Sequence, residues 1–340
     1  MAPSRISPEP VGNAKTPTLP SGLTKAQVEA FYEDGYLILP DYLTQETCKD
    51  LLDHTHEMLS TFDLSSHPMT KFSTGDADGE HHVGDDYFLT SGDKVRFFFE
   101  EDAFKPSPTN PAESVLSKPK EKAINKIGHS LHTVSHPYSQ ISHLGHVGSR
   151  NAAIARDLGF QDPRILQSMV ICKQPEIGGA VPSHQDSTFL YTDPPSAVGF
   201  WIALEDATIQ NGCLSFAKGS HRRANIGSRF VRKGGDSQGT TFVETKTQWP
   251  RNFKTEEPKD EEVFDIGEVT AGTLVLIHGN VLHKSEKNLS QKSRFIYTFH
   301  VIEGQDATEE NGEGWVYDEK NWLQIPGGPG NFTKLVGQHS

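Results

Sequence analysis

The first hundred residues alternate between helical spacing and short apolar runs. Thr24 and Gln27 are spaced as a capping box, a reciprocal hydrogen-bond exchange that begins a helix. Apolar residues then recur at helical spacing until Gly35, which predicts the end of that helix. The run Tyr36–Leu39 is short and apolar and is followed by proline, which predicts a strand. A second helix is predicted from about Thr44.

A polar stretch separates these elements from the centre of the chain. Residues 65–86 are polar and contain several glycines and aspartates, which predicts a mobile surface loop and a candidate lid over a binding site. Residues 94–99 predict a strand, and residues 105–122 predict a loop that is rich in proline and lysine. Residues 124–157 have mixed helical character that ends near Gly159.

The second half of the chain changes to short β-type runs separated by turn residues. Asn211 and Gly212 lie between two of these runs and form a hairpin signal. Several short strands at close spacing are typical of a sandwich or barrel, which predicts a mainly β fold with supporting helices. Residues 304–340 are predicted to be a C-terminal tail, part of which Trp315 and Trp322 hold in place. The predicted strands are 165–172, 189–191, 197–204, 213–216, 240–243, 274–277 and 295–302.

Composition narrows the possible functions. The formal net charge of −13 argues against nucleic-acid binding, because neutralising phosphates requires a basic face. No run approaches the roughly 18 apolar residues that span a bilayer, so no membrane partner is expected. Residues 1–22, rich in proline and serine, predict a disordered tail and not a secretory signal. The cysteines at 48, 172 and 213 are too far apart for a disulfide scaffold or a zinc ribbon, and a cytoplasmic location is expected.

The most informative chemistry is the sequence His184-Gln-Asp186. In extended backbone the side chains at i and i+2 point to the same face, so His184 and Asp186 can present an imidazole and a carboxylate to one point. A histidine from a distant strand would complete a facial triad of two histidines and one carboxylate. That ligand set leaves coordination positions open and is diagnostic of non-haem Fe(II) oxygenases.

Two downstream histidines compete for the third ligand position. His278 ends an apolar strand, and His283 follows it after a short turn. Arg294 lies eleven residues after His283 and opens the last predicted strand, where its guanidinium would bind a distal carboxylate with paired hydrogen bonds. The residues alone leave both histidines open. They also allow a zinc hydrolase with the same ligands, in which Arg294 has no co-substrate to hold.

These residues, in this order, resemble the phytanoyl-CoA hydroxylase family of Fe(II)- and 2-oxoglutarate-dependent dioxygenases, and in detail the subgroup of phytanoyl-CoA dioxygenase domain-containing proteins. The resemblance covers about residues 23–303. It implies a double-stranded β-helix, a cupin-like jelly roll, with helical support over 23–160 and the β-helix core over 161–303. The matching segments are FYEDGY at 31–36, YFLTSGDK at 87–94, INKIGH at 124–129, KQP at 173–175, HQD at 184–186, EDAT at 205–208, NGCL at 211–214, GSH at 219–221, LIHG at 276–279 and YTFH at 297–300.

The resemblance also implies a set of site residues. It makes His184, Asp186 and His283 the iron ligands and leaves His278 as a core or outer-sphere histidine. It assigns Arg294 and Ser285 to the distal carboxylate of 2-oxoglutarate. The further residues that it places in the co-substrate pocket are Lys126, Met169 and Trp201.

The implied activity is the hydroxylation of a C–H bond in a small molecule, with release of succinate and CO2. The implied cofactors are Fe(II), 2-oxoglutarate and O2, and ascorbate is admitted as a reductant. A small residue in place of Asp186 would open the metal to halide, so the carboxylate favours hydroxylation over halogenation. Two alternatives remain, a non-catalytic 2-oxoglutarate sensor and a zinc-dependent hydrolase on the same barrel. The chain ends in GQHS at 337–340, unlike the peroxisomal SKL, so a phytanoyl-CoA substrate is not expected, and the substrate and oligomeric state stay open.

Overall fold

The structure, a computed structural model, describes most of the chain. Residues 1–21 of the predicted N-terminal tail and residues 73–84 of the predicted loop at 65–86 lie outside the described residues, so those two predictions stay predictions. No helix in the described part is long and apolar enough to cross a membrane. The described residues are 22–72, 85–110, 113–234, 239–245, 262–304 and 315–336.

The described residues form α-helices and many short strands. The helices are α1 (Lys25–Asp34), α2 (Gln45–Thr61), α3 (Asp86–Leu89), α4 (Leu131–Val134), α5 (His136–Ser142), α6 (Gly145–Asp157) and α7 (Asp186–Phe189), with 3-10 turns at Glu101–Ala103, Lys120–Lys122, Ser220–Arg222 and Pro329–Asn331. The strands are β1 (Tyr36–Leu39), β2 (Val95–Phe99), β3 (Phe104–Pro106), β4 (Ser114–Leu116), β5 (Ile124–His129), β6 (Pro163–Lys173), β7 (Val181–His184), β8 (Thr192–Asp193), β9 (Val198–Ala203), β10 (Leu214–Phe216), β11 (Ser228–Arg232), β12 (Thr240–Glu244), β13 (Asp265–Gly267), β14 (Leu274–His278), β15 (His283–Ser285), β16 (Arg294–Glu303), β17 (Val316–Tyr317) and β18 (Thr333–Lys334).

Two antiparallel sheets build the fold. The major sheet has the order β1-β14-β9-β16-β6-β5-β2, with β18 also paired to β6, and the minor sheet has the order β13-β10-β15-β7. Side chains of the two sheets meet in one apolar cluster, in which Trp201 and Val275 of the major sheet pack with Phe216 of the minor sheet. The predicted double-stranded β-helix is therefore confirmed. Strands β1, β2 and β5, which come from the part predicted to be helical support, extend the major sheet.

Strand β16 shows how the sequence pattern positions a site. Side chains alternate across a strand. Tyr297 and Phe299 point to the outer face, where they share a core cluster with residues of the helices, and the ring of Tyr297 lies 4.6 Å from that of Tyr138. Arg294 and His300 point to the inner face and line a cavity. The layers are thus helices, major sheet, cavity and minor sheet.

Both N-terminal helices begin where the sequence predicts, and α1 also ends there. The side chain of Thr24 accepts a hydrogen bond from the backbone of Gln27, and the Gln27 side chain accepts one from the backbone of Thr24, which confirms the capping box. Gly35 ends α1 with φ of 86°, a left-handed conformation that favours glycine. Thr44 caps α2, and the buried residues of α2, Cys48, Leu51, Thr55 and Leu59, recur at intervals of three or four and form its inner face.

Four local predictions of helix, strand or loop are wrong. Residues 105–122 are not loop throughout, because β3 and β4 pair there. Residues 124–129 are not helical but form β5, and the helical character begins only at α4. Residues 189–191 do not form a strand, because Phe189 closes the helical turn α7. Gly212 does adopt the turn conformation, with φ of 79°, but the turn joins β9 of the major sheet to β10 of the minor sheet and makes no hairpin. Turn residues predict a change of direction and do not determine which strands pair.

The described part of the predicted C-terminal tail packs on the barrel. β17 pairs with β8, and β18 pairs with β6. Trp322 is buried, and its ring stacks on Phe88 with centroids 4.4 Å apart. Leu335 is fully buried in the cluster that contains the helices. Residues 315–336 therefore form part of the folded unit.

Candidate active site

A cavity of about 1010 Å³ is lined by residues of both sheets. Every side chain that the sequence analysis places in the site lies on its wall, so the fold brings together residues that are far apart in the chain. These residues are Lys126, Met169, His184, Asp186, Trp201, His283, Ser285 and Arg294.

The proposed metal ligands come from three adjoining elements. His184 ends β7, Asp186 begins α7, and His283 begins β15. His283 lies opposite His184 in the ladder between β15 and β7. Asp186 Oδ1 is 3.5 Å from His184 Nε2 and 3.8 Å from His283 Nε2, and one ligand atom from each residue lies within 4.8 Å of the others. Gln185, the residue between His184 and Asp186, has an extended backbone, but Asp186 already begins the helical turn α7. The predicted extended segment is therefore present only as far as Gln185.

Hydrogen bonds fix which nitrogen of each imidazole is free. Nδ1 of His184 lies 2.9 Å from the carbonyl oxygen of Pro182, and Nδ1 of His283 lies 3.1 Å from that of Val281. A carbonyl oxygen only accepts, so each Nδ1 carries the proton and each Nε2 offers a lone pair. Burial, reinforced by His184, lowers the pKa of His283 to about 4 and keeps it neutral. Two imidazole nitrogens and one carboxylate are the donor set that suits a divalent iron.

A fourth residue, His300, holds the carboxylate of Asp186. Its Nε2 lies 3.2 Å from Asp186 Oδ2, while its Nδ1 lies 3.3 Å from the side-chain amide of Gln167. Burial acts to raise the pKa of Asp186, but His283 and His300 outweigh it and hold that pKa well below its usual range. His300 is absent from the sequence-derived site, although it stands six residues after Arg294 and therefore on the same face of β16.

His278, the competing histidine, lies away from the cavity. Its Nδ1 accepts a hydrogen bond from the backbone of Asn280 at 3.1 Å. Its ring lies 4.8 Å from that of His221 and 5.9 Å from that of Phe31 in α1. Burial lowers its pKa to about 3. It is a neutral histidine in the packing between α1 and the major sheet.

Arg294 is a buried cation with unused donors. It is 2% exposed, its Nη1 donates to the carbonyl oxygen of Gly212 at 2.8 Å, and its guanidinium lies 5.7 Å from the ring of Trp201. Its Nε has no hydrogen-bond partner in the described part of the chain, and no carboxylate there lies within ion-pair distance. Burial lowers its pKa to about 10. A buried guanidinium in this state fits the carboxylate of a small anion.

The other predicted pocket residues surround that position. Lys126 is 8% exposed, and its Nζ lies 3.2 Å from the centre of the Phe72 ring. Burial lowers the pKa of Lys126 to about 7, against the opposing effect of Glu100. Met169 and Trp201 lie on either side of Thr298 in neighbouring strands and form an apolar wall.

Aromatic side chains that the sequence analysis does not select line the cavity beside His184. The ring of Phe189 lies 6.1 Å from that of His184 and 5.5 Å from that of Phe230. Phe242 completes this group at 6.0 Å from Phe189. Phe230 and Phe242 come from the β11–β12 ribbon, whose place on the cavity wall beside Phe189 no local pattern predicts. Gln185 points instead to the backbone of Asn280, to which it donates at 2.8 Å.

Comparison with known proteins identifies the family of this chain. The sequence profile of the phytanoyl-CoA dioxygenase (PhyH) family matches residues 31–296. "Phytanoyl-CoA dioxygenase domain-containing protein 1" from Bos taurus is 41% identical over 305 residues, which cover 89% of this chain and 95% of the relative. The homolog from Caenorhabditis elegans is 38% identical over 87% of this chain and 94% of the relative.

Solved structures share the fold at low sequence identity. The apo form of EctD from S. alaskensis has a TM-score of 0.54 and 18% identity, covering 95% of this chain and 92% of that chain. The epimerase SnoN, solved in complex with Fe3+, alpha ketoglutarate and nogalamycin RO, has a TM-score of 0.53 and 13% identity, covering 92% and 98%. The extent of the family match and the identity to the curated relatives decide the classification: this chain belongs to the phytanoyl-CoA dioxygenase (PhyH) family of iron- and 2-oxoglutarate-dependent dioxygenases.

Proposed function

We propose that this protein hydroxylates a C–H bond of a small molecule with Fe(II), 2-oxoglutarate and O2, and releases succinate and CO2. One observation carries the proposal. The convergent ligand atoms of His184, Asp186 and His283 open onto the same cavity as the buried guanidinium of Arg294. A zinc hydrolase would need the three ligands but not the buried cation beside them.

The first task of the site is to hold the metal on one face. Nε2 of His184, Nε2 of His283 and Oδ1 of Asp186 are the atoms that would bind it. His300 holds Oδ2 of Asp186, which leaves Oδ1 directed to the metal position. The bound iron, with 2-oxoglutarate and O2, supplies the oxidising chemistry. Asp186 would occupy one coordination position of the metal and close it to halide, which supports hydroxylation over halogenation.

The second task is to orient the co-substrate. Arg294 and the hydroxyl of Ser285 would bind its distal carboxylate, at the end of the cavity where both are buried. Met169 and Trp201 exclude water from the space between that carboxylate and the metal. Lys126 adds positive charge to the same wall.

The third task is to admit the substrate. Phe189, Phe230 and Phe242 line the cavity beside His184 and offer apolar contacts to the part of the molecule that reacts. This supports a substrate with an apolar or ring-shaped portion.

A cytoplasmic location accompanies the proposal. It is supported by cysteines that are all buried and free in the structure: Cys48, Cys172 and Cys213.

Succinate formation tests the proposed reaction. The protein, purified without oxygen and supplied with Fe(II), 2-oxoglutarate and air, is expected to form succinate, and a metabolite library should contain a compound that increases the rate. Asp186→Ala should lose this activity while its circular dichroism spectrum stays unchanged. Tight 2-oxoglutarate binding without succinate, with or without library compounds, would instead identify a sensor. Stoichiometric zinc with no 2-oxoglutarate binding would overturn the proposal in favour of a hydrolase.

A further inference from the structure

Lys173 is a buried lysine to which neither the resemblance nor the proposed mechanism gives a role. It ends β6 and lies directly opposite Arg294 in the ladder between β6 and β16. Residues directly opposite each other in an antiparallel pair point to the same face, and both of these line the cavity. Lys173 and Arg294 are each 2% exposed. Two like charges in this arrangement repel each other, so their position needs an explanation.

The contacts of Lys173 are with neutral groups. Its Nζ donates to Ser285 Oγ at 2.9 Å and to the backbone carbonyl of Glu286. Across the described ranges, no carboxylate lies within ion-pair distance of this amine. The buried carboxylate of Glu100 accepts from the side chain of Asn125 at 2.9 Å and from a backbone N–H at 3.2 Å, both through Oε2, while its Oε1 has no hydrogen-bond partner among the described residues. Its charge acts on Lys173 from beyond ion-pair distance and opposes the lowering of the lysine's pKa. Burial, and then the charge of Arg294, lowers the pKa of Lys173 to about 7.

The hydrogen bond to Ser285 has a direction that matters. Because an ammonium group only donates, Ser285 Oγ accepts from Lys173 and its own hydrogen is free to donate elsewhere. Ser285 is 3% exposed and lies on the cavity wall with Arg294. The end of the cavity therefore presents two cations and one oriented hydroxyl donor, an arrangement complementary to a carboxylate.

We propose that Lys173 is the second cation of the subsite that binds the distal carboxylate of 2-oxoglutarate, where it adds charge beside Arg294 and orients the hydroxyl of Ser285. This inference rests on the proposed function. The incoming carboxylate relieves the repulsion between the two cations. Lys173 thus favours 2-oxo acids that carry a second carboxylate over those with an uncharged tail.

Binding measurements test this role without relying on turnover. The full chain, loaded with Mn(II) in place of iron, is titrated by calorimetry with 2-oxoglutarate and with 2-oxobutyrate, which lacks the distal carboxylate. Lys173→Met should weaken 2-oxoglutarate binding about tenfold or more, because a hydrogen bond to a charged group is lost. Its affinity for 2-oxobutyrate should stay within about twofold, and its melting temperature without ligand should be equal or higher, because a buried like charge is removed.

Lys118→Met is the matched control. Lys118 also contacts the segment that follows β6, where it donates to the carbonyl of Pro175 at 3.2 Å, but its charge is paired with Glu176 at 2.7 Å on the surface. This variant should bind both acids like the wild type. If Lys173→Met does not fold, Lys173→Gln keeps a hydrogen-bond donor for Ser285 without the charge, and it should show the same selective loss for 2-oxoglutarate.

Four results would overturn the inference. Unchanged 2-oxoglutarate affinity would show that Lys173 adds nothing to the subsite. Equal weakening of both acids, or a lower melting temperature without ligand, would make Lys173 a structural residue that ties β6 to β15. Failure of the wild-type protein to bind either acid would contradict the proposed function itself, and the inference with it.

Discussion

His283 lies opposite His184 in the β15–β7 ladder, and the centroids of their imidazole rings are 4.2 Å apart. The two rings therefore stand side by side with their Nε2 atoms directed to one point. His278, five residues earlier, ends β14 and packs against Phe31 of α1. The minor sheet, and not closeness in sequence, brings His283 rather than His278 beside His184.

Replacement of each histidine should separate their roles. We expect His283→Ala to lower Fe(II) affinity by more than about 100-fold, above the range typical for residues that only hold a ligand in place. His278→Ala should keep its metal affinity and lose about 1–3 kcal/mol of unfolding free energy through packing. Metal titration and urea unfolding measure the two quantities. The opposite ranking in metal affinity would show that His278 is the ligand.

The site could be predicted from the sequence where it depends on local spacing. His184 and Asp186 are close in the sequence, and so are His283 and Arg294. Each pair lies on a short segment whose backbone is extended or turns once. In β16, His300 lies an even number of residues after Arg294, and in β6, Lys173 lies an even number after Met169. The alternation of side chains along a strand is therefore enough to predict that His300 and Lys173 face the site. The resemblance supplied roles only for the residues that it matched.

Sheet pairing could not be predicted in the same way. Asn211 and Gly212 signal a change of direction, but the two strands that they join belong to different sheets. Pairing and register depend on which side chains are buried by distant segments, and short sequence windows do not contain that information. For the same reason the aromatic group of Phe189, Phe230 and Phe242 emerges only once the β11–β12 ribbon is placed.

Arg294→Gln should affect the co-substrate more than the metal. Arg294 is the buried cation beside Trp201, and its loss removes charge-assisted hydrogen bonds to the distal carboxylate, each of which is typically worth about 1.5–3 kcal/mol. We expect the KM for 2-oxoglutarate to rise about 10- to 100-fold, with Fe(II) affinity changed less than about threefold. Steady-state succinate formation and metal titration give both values. An unchanged KM for the co-substrate would refute the assignment of Arg294.

His300→Ala should weaken metal binding without removing a ligand. His300 Nε2 holds Asp186 Oδ2 at 3.2 Å, and partners of this kind typically contribute 10- to 100-fold in metal affinity. His132→Ala is the matched control, because His132 is also buried but its Nδ1 contacts Ser168 and it does not line the cavity. Competition with a chelating dye measures Fe(II) affinity in both. Equal affinities of the His300 variant and the wild type would mean that Asp186 needs no such support.

Lys126 should make the stability of the protein depend on pH above neutrality. Its pKa falls from 10.5 in an unfolded chain to about 7 in the folded protein. Between pH 7 and pH 10.5 the lysine is protonated in the unfolded state but mostly not in the folded state, so the free energy of unfolding rises with pH. The penalty for burying the charge is fully present only below pH 7. Lys126 should therefore raise the free energy of unfolding by about 1.5 kcal/mol between pH 7 and pH 8.5.

Lys126→Met isolates that contribution. The variant should lack this increment, and the difference between wild type and variant in urea unfolding at the two pH values cancels the other titrating groups. The same variant should be the more stable protein at pH 7, where the wild type still carries the buried charge. An identical pH dependence of the two proteins would show that Lys126 titrates as an exposed lysine.

The C-terminal segment should prove necessary for stability. Leu335 is fully buried, its backbone N–H donates to the carbonyl of Pro163 at 2.8 Å, and β18 adds a partner to β6 just before it. Leu335→Ala should lower the free energy of unfolding by about 2–5 kcal/mol, the usual range for a leucine cavity. The adjacent Val336 is 55% exposed, so Val336→Ala should cost less than about 0.5 kcal/mol. Urea unfolding compares the two; equal small effects would mean that residues 315–336 rest on the barrel without stabilising it.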